Sequence, residues 1–281
     1  MSRIKELFTF SVDRSDINWS RIIDSQQCRY SSKKCFKVRK SQADISIGTC
    51  TVQYGKEKRD VIICPHRLLE RKQIFVDCLH LLTSHTPGNE LHLIPEVSIP
   101  GGSVDYFLVS TDSNRKVKDF VGIELQTMDT TGTIWPEREL TLKEMGLKDL
   151  EVIDNKTFGM NWKMTAKTIL VQLHHKINTF ESLNKHLVLV IQDCLLDYIK
   201  KEFSFSHIST QALLGESMHF HAYNLKKEKQ DYKLVLESRY STNSEGISKL
   251  LGLNANANLQ FEEIAKILEA KISDLTIFSI A

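Results

Sequence analysis

Two stretches of sequence decide the fold of this 281-residue chain: Val104-Asp105-Tyr106-Phe107-Leu108-Val109 and Phe120-Val121-Gly122-Ile123-Glu124-Leu125-Gln126. Both alternate between apolar and other side chains with the period of two that is typical of β-strands. The alternation puts Val104 on the same side of its strand as Leu108. The polar segment between the stretches, residues 111–116, has the composition of a turn. The pattern therefore predicts an antiparallel hairpin.

Acidic side chains interrupt the apolar pattern of this hairpin. If the turn is centred between Asn114 and Arg115, the numbers of paired residues sum to 229, so that Asp105 lies opposite Glu124. The Cβ atoms of residues at such positions are about 4.5–5.5 Å apart, and two carboxylates there repel each other unless one is protonated or a cation lies between them. Mg²⁺ or Mn²⁺ suits these oxygen ligands and supports phosphodiester hydrolysis. The alternative is that both acids are solvated residues near strand ends.

The surroundings of these acids resemble a known nuclease family. Residues 96–106, Glu-Val-Ser-Ile-Pro-Gly-Gly-Ser-Val-Asp-Tyr, and residues 121–129 are similar to the active-site segment of NotI-type restriction endonucleases, which belong to the PD-(D/E)xK nuclease superfamily. The resemblance extends to four upstream cysteines and, more weakly, to residues 162–176, and it covers about residues 25–195. It implies an α/β fold with a PD-(D/E)xK core, in which helices flank a mixed central sheet, and an additional four-cysteine metal-binding lobe.

The resemblance also assigns roles to four residues of the hairpin region. It implies that Asp105 and Glu124 bind the catalytic Mg²⁺ and that Glu96 is a further acid of the centre. Gln126 stands where most members of the superfamily have lysine. Glutamine cannot act as a general base, but it can orient a water molecule because its amide both donates and accepts hydrogen bonds. Which group removes the proton from the attacking water stays open.

A second pair of candidate residues lies in a predicted helix, residues 164–179. Gln172 and Lys176 are four residues apart, so both side chains lie on one face of that helix. The resemblance suggests that this face borders the catalytic centre and contacts DNA. An ordinary solvated helix flank would have the same spacing.

Four cysteines, Cys28, Cys35, Cys50 and Cys64, are spaced more widely than the C-x2-C pairs of zinc ribbons. The chain has no apolar signal segment and no run long enough to span a membrane, so we expect a cytoplasmic protein with reduced thiols. Clustered cysteines then bind metal or are simply buried. Cys64 lies in Val-Ile-Ile-Cys-Pro-His-Arg, which is similar to the iron-binding region of NotI-type enzymes. The resemblance thus implies a structural Fe site, although four thiolates would also accept Zn.

Charge is distributed unevenly along the chain. The net charge is only +2, but residues 29–72 contain twelve Lys and Arg residues against four acids, a local excess of +8. A lobe that holds the cysteines would therefore present a positive surface able to bind DNA phosphates. A charged surface without a partner is the alternative.

The sequence divides into three predicted regions: an N-terminal region with the cysteine lobe (1–90), a nuclease core (91–235) and a C-terminal helical segment (236–281). Within them we expect further elements: a helical segment at 68–84, a loop at 135–138, a buried strand at 185–191, a hairpin from 219–223 and 232–236, and two short helices at 246–251 and 261–268.

Together these features predict a type II restriction endonuclease that makes sequence-specific double-strand cuts in DNA with Mg²⁺. A homodimer on a palindromic site is the simplest way to cut both strands. A cognate DNA methyltransferase is implied by the resemblance. Two alternatives stay open: a repair-type nuclease of the same fold, and a metal-stabilised DNA-binding protein without catalysis.

Overall fold

The computed structural model describes residues 2–149, 157–253 and 270. The strands, numbered in chain order, are β1 (Ile4–Leu7), β2 (Phe10–Ser11), β3 (Val38–Arg39), β4 (Gln42–Ser46), β5 (Thr49–Tyr54), β6 (Arg59–Ile62), β7 (Glu90–Ile99), β8 (Gly102–Thr111), β9 (Val117–Gln126), β10 (Thr130–Gly132), β11 (Phe158–Met160), β12 (His186–Gln192), β13 (Met218–Glu228) and β14 (Asp231–Thr242). The α-helices are α1 (Trp19–Ser25), α2 (Gln73–Val76), α3 (Trp135–Glu144), α4 (Trp162–Ser182), α5 (Asp193–Glu202) and α6 (Ser244–Leu250). Short 3-10 helices span Pro65–Lys72, Leu79–Leu81 and Phe205–His207.

A six-stranded mixed sheet forms the centre of the molecule, in the order β14-β13-β12-β9-β8-β7. β12 runs parallel to both of its neighbours, β9 and β13, whereas the outer pairs are antiparallel. All seven residues of β12 are buried, because apolar layers cover both faces of the sheet. The predicted α/β class, with helices on a mixed central sheet, is therefore confirmed.

The two faces of the sheet are covered by different parts of the chain. α4 contributes Leu170, Leu173 and Ile177 to the apolar cluster on one face, together with residues of α5 and α6. The other face packs against the short helices that follow the cysteine lobe, through Leu68 and Ile74. The long helix α4 thus lies against the sheet on the side opposite to those short helices.

A smaller antiparallel sheet, in the order β2-β1-β5-β6, carries the N-terminal lobe. Val52 and Val61 of this sheet belong to the same apolar cluster as Leu170 of α4, so the lobe and the central sheet share one core. The buried guanidinium of Arg67 adds polar contacts between them. It donates to Glu6 of β1 at 2.7 Å, and it also reaches the backbone oxygen of Tyr232 in β14 at 3.2 Å.

The hairpin of β8 and β9 has the predicted register. From Ser110 opposite Asp119 to Tyr106 opposite Ile123 the residue numbers of each pair sum to 229, and only the pair nearest the turn, Thr111 with Val117, is shifted by one residue. The predicted alternation is wrong at one position: Val104 packs in the cluster of the α4 face, whereas Leu108 packs on the other face. The strand is therefore irregular between these two residues.

Three further expectations are corrected by the structure. Residues 135–138 are the first turn of α3 and not a loop, because Pro136 lies at the start of the helix, where proline is favoured. The helical segment expected at 68–84 is broken into short helices, since Glu70 and Arg71 have non-helical backbone angles. β14 continues to Thr242, past the predicted boundary at residue 235. Of the two C-terminal helices, the first corresponds to α6 and the second lies outside the described residues.

Two other predictions are confirmed: the strand at 185–191 is β12, and the C-terminal hairpin is formed by β13 and β14. Among the described residues, no helix has both the length and the apolar character needed to cross a membrane.

Candidate active site

Three acids lie in a row across three neighbouring strands of the central sheet. In the pairing of β7 with β8 the residue numbers sum to 201, which aligns Glu96 with Asp105. The pairs of β8 and β9 end at Tyr106 and Ile123, one residue before Asp105 and Glu124, and these two carboxyls interact electrostatically. The sequence-predicted acids are therefore brought together by the sheet, one from each strand.

Regular strand pairing is broken at these acids: β7 and β8 skip one position and resume at Val97 and Val104, whereas β8 and β9 do not pair beyond it. The pairs of β7 and β8 omit the position of Glu96 and Asp105, and the pairs of β8 and β9 end at Tyr106 and Ile123. Glu96 has a φ of 53°, which is in the left-handed region and unfavourable for a glutamate. The Asp105 carboxylate accepts a hydrogen bond from the backbone N–H of Leu125 at 2.8 Å. It thus takes the role that a backbone carbonyl has in a regular sheet. Strained backbone of this kind is concentrated at functional sites.

Lys176 of α4 reaches the acid of β9 from the helical layer. Its Nζ donates to Oε1 of Glu124 at 2.7 Å, and both side chains are only 6% exposed. Gln172 was predicted to lie on the same face of this helix as Lys176. It is solvent-exposed, and no hydrogen bond among the described residues joins it to the acids. Of the two residues predicted on this helix face, only Lys176 contacts an acid of the candidate centre.

Two glycines allow α4 to approach the sheet closely. A Cβ atom on Gly101, in the turn between β7 and β8, would lie 2.2 Å from the backbone oxygen of His175. A Cβ atom on Gly122 of β9 would lie 2.4 Å from the Phe180 ring. Any larger residue at either position would push the helix away. The glycines of the Pro-Gly-Gly turn and of the Val-Gly-Ile segment thus determine how closely α4, and with it Lys176, approaches the acids of the sheet.

Burial changes the ionisation of both central acids. It raises the pKa of the Glu124 carboxyl to about 7, an effect that the Lys176 ammonium partly offsets and the nearby Asp105 increases. Burial also raises the pKa of the Asp105 carboxyl, against the effects of the Leu125 N–H and of Lys176 and with a further contribution from Glu96. Two desolvated carboxyls that repel each other are the electrostatic environment in which a divalent cation is favoured.

The donors present fit a magnesium ion in number and type. Mg²⁺ is commonly held by one or two carboxylates with water completing the shell, and Asp105 and Glu124 are two such carboxylates. Among the described residues, no group of three or more His, Cys, Asp and Glu side chains is arranged to hold a metal. Gln126 lies two residues beyond Glu124, and its amide Nε2 donates to the backbone oxygen of Thr127 at 2.6 Å.

A cavity of about 700 Å³ separates the acids from the N-terminal lobe. Glu96, Asp105 and Tyr106 line one side of this cavity. Its other side is formed by the lobe and the short helices that follow it, and includes two exposed cations, Lys33 and Lys72. Glu96, Asp105 and part of the predicted basic surface therefore face the same space, whereas Glu124 does not line this cavity and contacts Lys176 of α4.

The predicted basic surface is not uniform. Arg67, one of its twelve cations, is fully buried and is neutralised by Glu6 and Glu70. Aromatic side chains lie beside the remaining cations at the cavity: Tyr30 is half-buried, and Phe36 is 51% exposed and packs on the His66 ring with centroids 4.7 Å apart. Exposed aromatic rings next to lysines are a combination that contacts nucleic-acid strands.

The four predicted cysteine ligands are buried and unpaired by disulfides: Cys28, Cys35, Cys50 and Cys64. Cys50 lies in β5 and Cys64 just beyond β6, so the pairing of these strands brings their thiols together. A hydrogen bond from Cys50 lowers the pKa of the Cys64 thiol to about 6, and the same bond raises the pKa of the Cys50 thiol. Cys78 and Cys194 are buried separately, as expected.

His66 is a residue of this cluster that the sequence reasoning missed. Its side chain forms a hydrogen bond with Cys28. Burial raises the pKa of the Cys28 thiol, but the bond to His66 together with bonds from Ser31 and the Tyr30 backbone outweighs burial, so that the pKa of this thiol is lowered. The sequence offered only the closeness of His66 to Cys64, two residues away, as a signal. The four thiols are of the right type for a metal site, but no group of three or more His, Cys, Asp or Glu among the described residues is arranged to hold a metal. An Fe or Zn centre therefore stays a prediction.

A comparison with models of protein families gives no match to this chain, and a comparison with curated proteins gives none either.

Proposed function

We propose that the protein is a Mg²⁺-dependent endonuclease of the PD-(D/E)xK type, and specifically a type II restriction endonuclease that resembles the NotI type. One observation carries the proposal: Glu96, Asp105 and Glu124 lie on neighbouring strands where the pairing of β7 with β8 is interrupted and that of β8 with β9 ends, and Asp105 interacts electrostatically with both other acids. Alignment of three acids has a high electrostatic cost for a protein that does not use them.

Each residue of the centre has a distinct role in this proposal. Asp105 and Glu124 would hold the Mg²⁺, which would polarise the phosphoryl oxygen of the bond to be cut. The Leu125 N–H orients the Asp105 carboxylate, and Lys176 keeps Glu124 in place. The Gln126 side chain, which now donates to the Thr127 backbone, can orient the attacking water after a rotation of its amide.

The cavity beside the acids supports DNA as the substrate. One DNA strand in this space would have Lys33 and Lys72 on one side and Asp105 on the other. Phosphates bound by the two lysines would release counterions, while Tyr30 and Phe36 supply aromatic rings for contact with bases or sugars. The proposal includes a homodimer, a cognate methyltransferase and a cytoplasmic location, where six free cysteines would remain reduced.

Incubation with DNA and Mg²⁺ tests the proposal directly. Plasmid and linear duplexes of known sequence are incubated with the protein in Mg²⁺ and in EDTA, and the fragment ends are sequenced. The proposal predicts discrete fragments with identical ends in Mg²⁺ only. Nicking that follows DNA structure rather than sequence would favour a repair-type nuclease of the same fold.

A DNA-binding protein without catalysis is a second candidate. As predicted from the sequence, this alternative is metal-stabilised, and it is favoured by the exposed Lys33, Lys72 and Phe36 at the cavity, which could contact DNA whether or not the acids bind Mg²⁺. The variant Asp105→Asn separates the two candidates. For a nuclease it abolishes cutting and retains DNA binding measured in Ca²⁺. For a binding module, neither the wild type nor the variant cuts DNA in Mg²⁺ or Mn²⁺, and both bind with equal affinity.

A further inference from the structure

Four histidines form a cluster on the face of the central sheet that packs against the short helices. His186 of β12 and His219 of β13 have ring centroids 5.1 Å apart, and His221 of β13 stacks on His80 with centroids 6.1 Å apart. We call these four residues the imidazole cluster. Residues 73–84, the covering segment, contain His80 and pack on this face of the sheet.

The covering segment crosses the sheet and is attached on both sides of the imidazole cluster. Arg239 of β14 donates to the backbone oxygen of Asp77 at 3.3 Å. At the other end of the segment, the backbone N–H of Ser84 donates to the Asp119 carboxylate of β9 at 2.6 Å. His221 belongs to β13, which lies between β14 and β9 in the sheet, and its side chain is fully buried. The segment therefore lies over His221.

Only one ring nitrogen of His221 has a partner. Its Nδ1 lies 3.8 Å from the thiol of Cys78 in the covering segment, and its Nε2 has no hydrogen-bond partner among the described residues. Burial raises the pKa of the Cys78 thiol, so the thiol stays protonated and neutral. A neutral imidazole has one N–H donor, whereas an imidazolium has two and needs an acceptor for each. The site is therefore suited to the neutral form of His221 alone.

The charges around His221 also oppose its protonation. Burial lowers the pKa of His221 well below its ordinary value, and the Arg239 guanidinium and the other imidazoles lower it further. The other titratable side chains that face the imidazole cluster are Asp77 and Cys78 of the covering segment, Asp119 of β9, Lys185 before β12 and Tyr223 of β13. Both acids among these described residues are already hydrogen-bonded, Asp77 to Tyr223 and Asp119 to Lys185. Neither is free to pair with an imidazolium.

We propose that His221 and the covering segment form an acid-sensitive latch, in which protonation of His221 releases the segment from the sheet. The segment is the element that moves, because His221 lies in an interior strand of the sheet. The segment consists of short helices and exposes apolar side chains such as Val76 and Leu79. Elements of this kind open at lower free energy than the strands of a core.

Release of the segment would change the cavity beside the candidate active site. Phe75 of the segment lines this cavity and packs on Tyr106, the neighbour of Asp105, with ring centroids 5.2 Å apart. The latch would therefore control one wall of the cavity. This consequence rests on the proposed function, whereas the latch itself does not.

The direction of the pH effect follows from the proton balance. In the closed state His221 is neutral, whereas in the released state it would titrate with the ordinary pKa of about 6.5. Acid therefore favours release below about pH 6.5. Between about pH 7.5 and 5.5 the equilibrium constant for release should rise at least about tenfold. Burial lowers the pKa of His219 to about 3, so that any exposure of this second imidazole adds to the rise.

Hydrogen exchange measured by mass spectrometry tests the latch without any substrate. The protection of peptides from residues 73–84 is measured at about pH 7.5, 6.5 and 5.5 and corrected for the pH dependence of free-amide exchange. β5 is the internal reference. We expect the protection of the segment to fall at least about tenfold relative to β5 over this range. The fall should be about tenfold smaller in His221→Gln, whereas the control His207→Gln, which replaces an exposed histidine, should match the wild type.

Addition of DNA tests the link to the cavity. Sheared plasmid DNA in Ca²⁺ should increase the protection of the covering segment at about pH 7.5, because a ligand that binds only the closed state stabilises that state. Bound DNA that leaves the segment's protection unchanged would overturn the control of the cavity by the latch. Protein that binds no DNA would refute the proposed function, and the DNA-free exchange data alone would then decide the latch.

Two results of the DNA-free experiment would overturn the latch. If the covering segment and β5 lose protection equally, acid destabilises the whole fold and no local device exists. If folded His221→Gln keeps the full pH dependence of the wild type, His221 is not the group that takes up the proton. Should His221→Gln not fold, the wild type still decides: a segment whose protection relative to β5 does not change between about pH 7.5 and 5.5 contradicts the latch.

Discussion

Two of the buried ionic clusters among the described residues, those of Arg67 and of Lys176, differ in how well they are satisfied. Arg67 donates to Glu6, to Glu70 and to the backbone oxygen of Tyr232, and Glu70 accepts a further bond from the N–H of Leu234. Lys176 and Glu124 have one contact with each other and lie next to strands whose pairing is broken. The first pair is saturated and structural, whereas the second leaves bonding capacity for a cation and a substrate.

Removing one central acid should have the largest effect. We expect Glu124→Gln to slow DNA cleavage by about 1000-fold or more, since the loss of a metal ligand removes several kcal/mol of transition-state stabilisation. The matched control is Glu90→Gln, because Glu90 is an exposed acid at the start of β7. Cleavage rates under single-turnover conditions check both. An equal loss of cleavage in Glu90→Gln, or normal cleavage by Glu124→Gln, would contradict a catalytic role for Glu124. The Lys176–Glu124 pair would then not differ in function from the Arg67 pairs.

Removing the saturated cation should mainly affect stability. Arg67→Met leaves Glu6 and Glu70 buried without their partner, and we expect the free energy of unfolding to fall by about 3–5 kcal/mol. Lys176→Met should cost less than about 2 kcal/mol, because Glu124 already has a pKa of about 7 and can take up a proton.

Urea unfolding measures both values, with Lys226→Met as the control for an exposed pair. Lys226 lies 3.6 Å from Glu237, and both side chains are about half exposed, so that loss of this pair should cost less than about 1 kcal/mol. If Arg67→Met and Lys176→Met lost the same stability, the pair at the candidate centre would be structural like the other.

Displacing α4 should impair the centre without changing a charge. Gly101→Ala forces a Cβ against the backbone of His175, whereas Gly88→Ala has nothing within 4 Å; both glycines have a φ of 95°. The two variants therefore share the cost of a left-handed alanine, about 1–2 kcal/mol. Only Gly101→Ala should slow cleavage, by about 10- to 100-fold, through misplacement of Lys176. Similar cleavage rates for the two variants would contradict the positioning role of this turn.

The pH dependence of metal binding gives the smallest effect. Burial raises the pKa of Glu124 to about 7, and a proton and Mg²⁺ compete for the same carboxylate. The affinity for Mg²⁺ should therefore increase by up to about tenfold per pH unit between about pH 5.5 and 7, and level off above about pH 8. Calorimetry at four pH values checks this. A constant affinity over the whole range would mean that Glu124 does not bind the ion.

The register of the central hairpin could be predicted because it depends on local sequence. The alternation of apolar residues and a short polar turn fix which residues face each other, so that the pairing from Ser110 with Asp119 to Tyr106 with Ile123 followed from counting. The assignment of Glu96 to the candidate centre came from the family resemblance and not from counting. The burial of β12 likewise followed from its continuous apolar run.

Long-range packing could not be predicted in the same way. Lys176 and Glu124 are 52 residues apart, and their contact depends on how closely α4 crosses the sheet at Gly101. Arg67 was counted as part of a basic surface, since a sequence does not show which cation is buried against acids from distant strands. Pro136 was interpreted as a loop signal although proline is also favoured in the first turn of a helix.

The most direct test is to locate a divalent ion in crystals soaked with Mn²⁺, using its anomalous scattering. The account predicts an anomalous peak within about 2.5 Å of carboxylate oxygens of both Asp105 and Glu124, with the peak lost in Glu124→Gln. A strong peak elsewhere in the chain and none between these two residues, at a Mn²⁺ concentration that supports cleavage, would contradict it.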